Sequence, residues 1–102
     1  IVPVDKNPPA TECDALQTMQ VAQITFDILR DRNAVGLSVS RDEVHHAMRI
    51  AFEKLHLVVE PGGAVALAAI LAGKVALTDR TAITLSGGNV DRQLFANIIA
   101  EN

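Results

Sequence analysis

The sequence predicts an α/β chain that is mostly helical, with one clear strand over 81–85. Three observations carry that expectation. Ser40-Arg41-Asp42-Glu43 opens a stretch in which Val44, Ala47, Met48, Ala51 and Leu55 recur at helical spacing. Ala64–Ala72 is apolar without a break and is bounded by Gly63 and Gly73. Thr81–Leu85 is β-branched and apolar and runs straight into Ser86-Gly87-Gly88.

Taken in order, residues 1–11 hold three of the four prolines. Pro8-Pro9 blocks both a helix and a central strand, so this stretch is a lead-in or linker, with a short strand at Ile1–Val4. From Glu12 to Asn33 the pattern turns helical, with Val21, Ile24, Phe26, Ile28 and Leu29 on one broad stripe. Asn33 and Gly36 break it, and Leu37–Val39 alternates as a small strand or extended link. Ser40 and Glu43 cap a helix over 41–56, which His56 closes. Pro61 suits the first position of the next helix, which runs to Ala72 and stops at Gly73. After the 81–85 strand, Leu94, Phe95, Ile98 and Ile99 mark a final amphipathic helix.

Composition narrows the functional classes. The 102 residues make one domain, with nine basic against twelve acidic side chains and a net charge of −3. That balance leaves no basic footprint for nucleic acid or an anionic membrane. Three phenylalanines are the only aromatics, too few for a base-stacking platform. The 64–72 run falls far short of the roughly 20 residues that span a bilayer. A single cysteine, Cys13, forms no internal disulfide and fits a reducing compartment. A helix apolar on all sides needs packing partners on all sides. With a start at Ile1, that leads us to expect one piece of a larger subunit.

A strand, a glycine turn and a helix put that turn at the carboxyl end of a strand, where open α/β sheets bind ligands. Alone, Ser86-Gly87-Gly88-Asn89 is also plain punctuation. With Glu60-Pro61-Gly62-Gly63 ahead of it, the pair VVEPGGAVALAA (58–69) and LSGGNVD (85–91) becomes specific. In that order the two resemble the C-terminal part of the serine/threonine dehydratases. These are fold-type II, tryptophan-synthase-β-like pyridoxal-phosphate enzymes, a group that includes serine racemase. The resemblance runs from Cys13-Asp14 through Thr25-Phe26 and the 40–43 cap to Asp91. It implies a partial α/β/α three-layer fold, with 12–102 as the C-terminal portion of the larger cofactor-binding domain.

The resemblance further implies that Ser86 bonds the pyridine nitrogen of pyridoxal 5'-phosphate. A neutral hydroxyl pairs with an unprotonated ring nitrogen, whereas a carboxylate would keep it protonated. Gly87 and Gly88 would follow the ring edge, with Asn89 either bracing the turn or merely stabilising it. Glu60 has two open roles, beside the cofactor or as a carboxylate favoured at a helix N-terminus. Gly62 and Gly63 allow close backbone approach or simple packing. Ala22 stands where many relatives have a glycine beside the cofactor, so its methyl would trim the space over the ring.

The family's Schiff-base lysine and phosphate loop lie upstream of the matched segment, so no catalytic residue is assigned here. Lys6, Lys54 and Lys74 carry no such role, and Lys54 and Lys74 read as solvated surface. The six arginines are scattered and read as solvated charges. His45 and His46 are adjacent, so they do not converge on one metal and read as surface histidines, and no metal ligand is assigned. Cys13 reads as an inert thiol. The implied parent is a cytoplasmic, oligomeric lyase that converts L-threonine or L-serine into a 2-oxo acid and ammonia. Its partners would be the amino-acid substrate and the remainder of its own subunit, with no nucleic acid or membrane. A racemase or hydroxyaspartate dehydratase of the same fold is the alternative among enzymes. A non-catalytic regulatory or interaction module is the alternative outside them, although the βαββαβ alternation of such a domain is missing.

Overall fold

In the computed structural model, which describes residues 10–18 and 20–101, the capping box forms as the sequence requires. Ser40 Oγ accepts from the Glu43 amide at 3.2 Å, and Glu43 Oε2 accepts from the Ser40 amide at 2.6 Å. Helix α2 follows over Arg41–Leu55, and His56 ends it in the left-handed region with φ 56°. Lys74 Nζ donates to the same Glu43 oxygen at 2.7 Å and to the Ser38 carbonyl at 2.8 Å. The chain leaving the next helix is thereby tied to the start of α2. The Lys74 bond, followed by the Ser40 amide bond, holds the Glu43 carboxyl below its ordinary value. Lys74 is therefore an ion-paired side chain and not simply solvated surface.

Before α2, α1 spans Gln23–Asp31, and a 3-10 turn occupies Asp14–Leu16. The continuous helix expected over 12–33 is thus split. Its stripe finds nothing to bury against, because α1 packs on none of the other helices. Ile24, Ile28 and Leu29 all stay exposed. Most helical stability in proteins comes from packing of the apolar face, and this stretch lacks it.

After α2, a 3-10 turn at Pro61–Ala64 leads into α3, Val65–Leu71, and Gly73 with φ 70° ends it. Helix α4 covers Arg92–Ala100, with the Asp91 carboxylate accepting from the Leu94 amide at 2.8 Å. The core lies where α2 meets α3, α4 and the Pro61–Ala64 turn. Val44, Ala47, Met48, Ala51, Val59, Ala64, Ala68 and Ile98 are its buried members. Four alanines let the α2 and α3 backbones approach closely, while Met48 and Ile98 supply bulk. Phe52 and Phe95 meet edge to face, with centroids 5.5 Å apart, at the rim between α2 and α4. The α3 helix is not buried all round, since Leu71 is 41% exposed.

Two expectations fail outright. Residues 81–85 form no strand, and neither do Leu37–Val39; among the described residues there is no strand at all. A strand exists only through ladder bonds to a neighbour, and the described residues offer 81–85 none. The second failure is His45, which is 4% exposed, whereas His46 lies on the surface. The His45 ring is drawn between Glu12 and Glu101. Arg41 and Arg49, also expected to be solvated, pair with those same two carboxylates. The expected strand at Ile1–Val4 and the surface role of Lys6 lie outside the described residues.

The described architecture is a slab, 40 × 38 × 19 Å, only about two helix diameters thick. Among the described residues no helix is long and apolar enough to cross a membrane. Because Met48 is fully buried where three elements meet, Met48→Ala should cost about 2–5 kcal/mol. Urea unfolding followed by circular dichroism measures that loss, and a midpoint equal to wild type would place Met48 outside the core.

Candidate cofactor site

The two glycine motifs lie far apart in sequence and are locked together by their backbones. The Glu60 amide donates to the Gly87 carbonyl at 2.8 Å. Three residues on, the Ser86 amide donates to the Gly63 carbonyl at 3.5 Å, at the limit of such a bond. The side chain that Gly63 lacks is what permits this. A β-carbon there would overlap the Ser86 carbonyl. Gly87 adopts φ 76°, a backbone that favours glycine, and the Glu60 side chain occupies the space where its β-carbon would stand. Gly88 is close as well, with the Val58 carbonyl 3.2 Å from its missing β-carbon. Gly62 is different: Ala15 and Leu16 lie at ordinary contact distance, 3.6 Å, so its role is packing.

What this interlock presents is a short ledge of backbone with three polar side chains around it. Ser86 and Asn89 are exposed, and neither side chain has a hydrogen-bond partner within the described residues. Glu60 is half-buried, and its carboxylate lies over Gly87 without an ion pair. Ser86 therefore offers a free hydroxyl, able to donate or accept, beside two residues with no side chain to obstruct a flat ligand. Those features fit the ring of pyridoxal 5'-phosphate: a nitrogen that needs one neutral partner, and a face and edge that need clearance. Ala22 is not part of this ledge. It is the exposed N-cap of α1, and its place beside a ring rests on the resemblance rather than on a contact within this chain.

A cavity of about 430 Å³ lies instead between residues 10–13 and the start of α2, reaching Pro61, and none of residues 86–89 lines it. Cys13 borders that cavity. Burial first, then the neighbouring carboxylates, push its thiol above the ordinary value despite a bond to Thr11, which leaves it poorly nucleophilic. What sequence reasoning missed is that the two motifs are bonded to each other. The available signal was their common form, a β-branched or apolar run ending in an acid or hydroxyl and then paired glycines.

The interlocked glycine turns and the free serine hydroxyl are what this chain offers at the candidate site, and comparison with known proteins gives the class. Residues 2–87 match the profile of the family described as pyridoxal-phosphate dependent enzyme. An L-threo-3-hydroxyaspartate ammonia-lyase of Pseudomonas sp is 36% identical, over 89% of this chain and 29% of that protein. A serine racemase of Schizosaccharomyces pombe is 33% identical, over 91% of this chain and 29% of its own length. The crystal structure of a threonine deaminase from T.th. superposes with a TM-score of 0.76 and 40% identity, over 86% of this chain and 32% of that one.

The chain belongs to the pyridoxal-phosphate-dependent enzymes of fold-type II. It spans a little under a third of the relatives it matches. The glycines of the interlock yield a paired expectation. Gly63→Ala should force the two motifs apart and cost about 1–3 kcal/mol. Gly62→Ala should be tolerated within about 1 kcal/mol, because its neighbours leave a methyl's room. Thermal unfolding of both variants checks the contrast, and equal losses would show that the Gly63–Ser86 approach is unimportant.

Proposed function

We propose that residues 12–102 are the C-terminal portion of the cofactor-binding domain of a lyase that dehydrates and deaminates L-threonine or L-serine. The products would be a 2-oxo acid and ammonia. The observation that carries this reading is the unpartnered Ser86 hydroxyl on a glycine ledge held in place by Glu60 and Gly63. Pyridoxal phosphate, when bound, supplies the electron sink that lets an α-hydrogen leave as a proton.

This chain's part is to hold the ring nitrogen by the Ser86 hydroxyl, to keep side chains off the ring edge at Gly87 and Gly88, and to place the Glu60 carboxylate beside it. Asn89 leaves its amide free at the same edge. The Ser86 hydroxyl, being neutral, would not hold that nitrogen protonated as a carboxylate would. Ala22 would limit the space over the ring. By resemblance, the lysine and the phosphate cradle belong to the rest of the same subunit, in a cytoplasmic homo-oligomer. A second reading is favoured by the ammonia-lyase relative at 36% identity: the same elimination, with a hydroxyaspartate as substrate.

Three experiments test the proposal. In a longer chain that contains this segment, Ser86→Ala should lower the rate of 2-oxo acid formation by about 2- to 10-fold, the worth of one hydrogen bond. Unchanged kinetics would remove Ser86 from the site. The 102-residue chain alone, incubated with pyridoxal phosphate and L-threonine, should form no sustained 2-oxobutanoate; sustained product would overturn the division of labour. In the longer chain, Ala22→Gly should widen the range of amino acids accepted more than it changes threonine turnover. A substrate profile equal to wild type would exclude Ala22 from the pocket wall.

A further inference from the structure

We propose that His45 is a proton-operated clasp in which the Glu12 arm is permanent and the Glu101 arm opens when the ring loses a proton. The ring is almost wholly buried, with 5% of its side chain exposed, and has a carboxylate on each nitrogen. Nε2 lies 2.6 Å from Glu12 Oε2, and Nδ1 lies 3.4 Å from Glu101 Oε2. Both carboxylates also meet guanidinium groups: Arg41 Nη2 is 2.7 Å from Glu12 Oε1, and Arg49 Nη1 is 3.2 Å from Glu101 Oε2.

An ionised carboxylate only accepts hydrogen bonds. Partial burial works against ionisation of Glu12, yet the His45 bond and charge, with Arg41, hold its carboxyl below its ordinary value. To bond on both sides, the imidazole must therefore carry both protons. A neutral ring has one proton to place, and the 2.6 Å contact claims it for Nε2. The Nδ1 lone pair is then left facing the Glu101 carboxylate, and that contact turns repulsive.

The charged groups around the ring are Glu12 from just before the Asp14–Leu16 turn, Arg41 and Arg49 from α2, and Glu101 from the end of α4. Among the described residues no group of three His, Cys, Asp or Glu side chains is disposed to hold a metal. The guanidinium groups already neutralise the carboxylates. The two arms lead to different places. Glu12 precedes the Asp14–Leu16 turn, whose Ala15 and Leu16 lie against Gly62 of the first glycine motif. Glu101 ends α4, the helix whose N-cap, Asp91, follows two residues after Asn89. Loss of one proton thus releases Glu101 from the ring, leaves Arg49 as the remaining tie from α2 to the end of α4, and leaves the contact at Gly62 in place.

The test uses the 102-residue chain with 15N-labelled histidine. Ring spectra recorded from mildly acidic to alkaline pH should show Nδ1 losing its proton while Nε2 keeps its own. Hydrogen exchange, corrected for the intrinsic rate, should show protection at 96–101 falling roughly two- to tenfold over that transition, with 10–16 unchanged. Glu101→Gln sits at a half-exposed position, and its amide can pair with either form of the ring, so it should abolish the pH response. A neutral ring protonated on Nδ1, equal loss of protection in both segments, or a full pH response in Glu101→Gln would each overturn the proposal.

Discussion

Two backbone hydrogen bonds, Glu60 to Gly87 and Ser86 to Gly63, hold the candidate site together. Everything at the ledge follows from how close they bring two loops. Gly63 has no β-carbon, so the Ser86 carbonyl can reach it. Gly87 takes a left-handed φ, so the Glu60 side chain can lie across it. Backbone amides are obligatory donors, and pairing them across two loops fixes the Ser86 position without using its hydroxyl. That leaves the hydroxyl free for a ligand.

The ledge is only as firm as what stands behind it, and that is α2. Its buried alanines and Met48 seat α3 and α4, the helices that follow the first and second glycine motifs. Its flank carries ion pairs to three other segments: Glu12 before α1, Lys74 after α3 and Glu101 after α4. Exposed pairs of this kind contribute little each. The imidazole between two carboxylates differs in being buried, where a polar group left without a partner costs more than at the surface.

The faces away from α2 are apolar and uncovered. Ile24 is 70% exposed on α1, and Val35 is 82% exposed in the link that follows. A radius of gyration of 14.8 Å exceeds the roughly 13 Å of a compact domain this size. The chain spans under a third of the relatives it matches.

The sequence by itself determined the features that are closed within a few residues. The Ser40–Glu43 box and the stop at Gly73 are local, and each stands where the pattern put it. The two glycine motifs were legible as well, since paired glycines after apolar runs mark close backbone approach. Only the tertiary structure decided what depends on a distant partner. It withheld a strand from 81–85 because a β-branched run becomes a strand only beside another. It split the expected 12–33 helix, leaving the Asp14–Leu16 turn and a helix confined to Gln23–Asp31. It also buried His45 between carboxylates 33 residues before it and 56 after it. Charge pairing through space leaves no periodicity in the sequence, and that is why His45 was indistinguishable from its exposed neighbour His46 until the chain was folded.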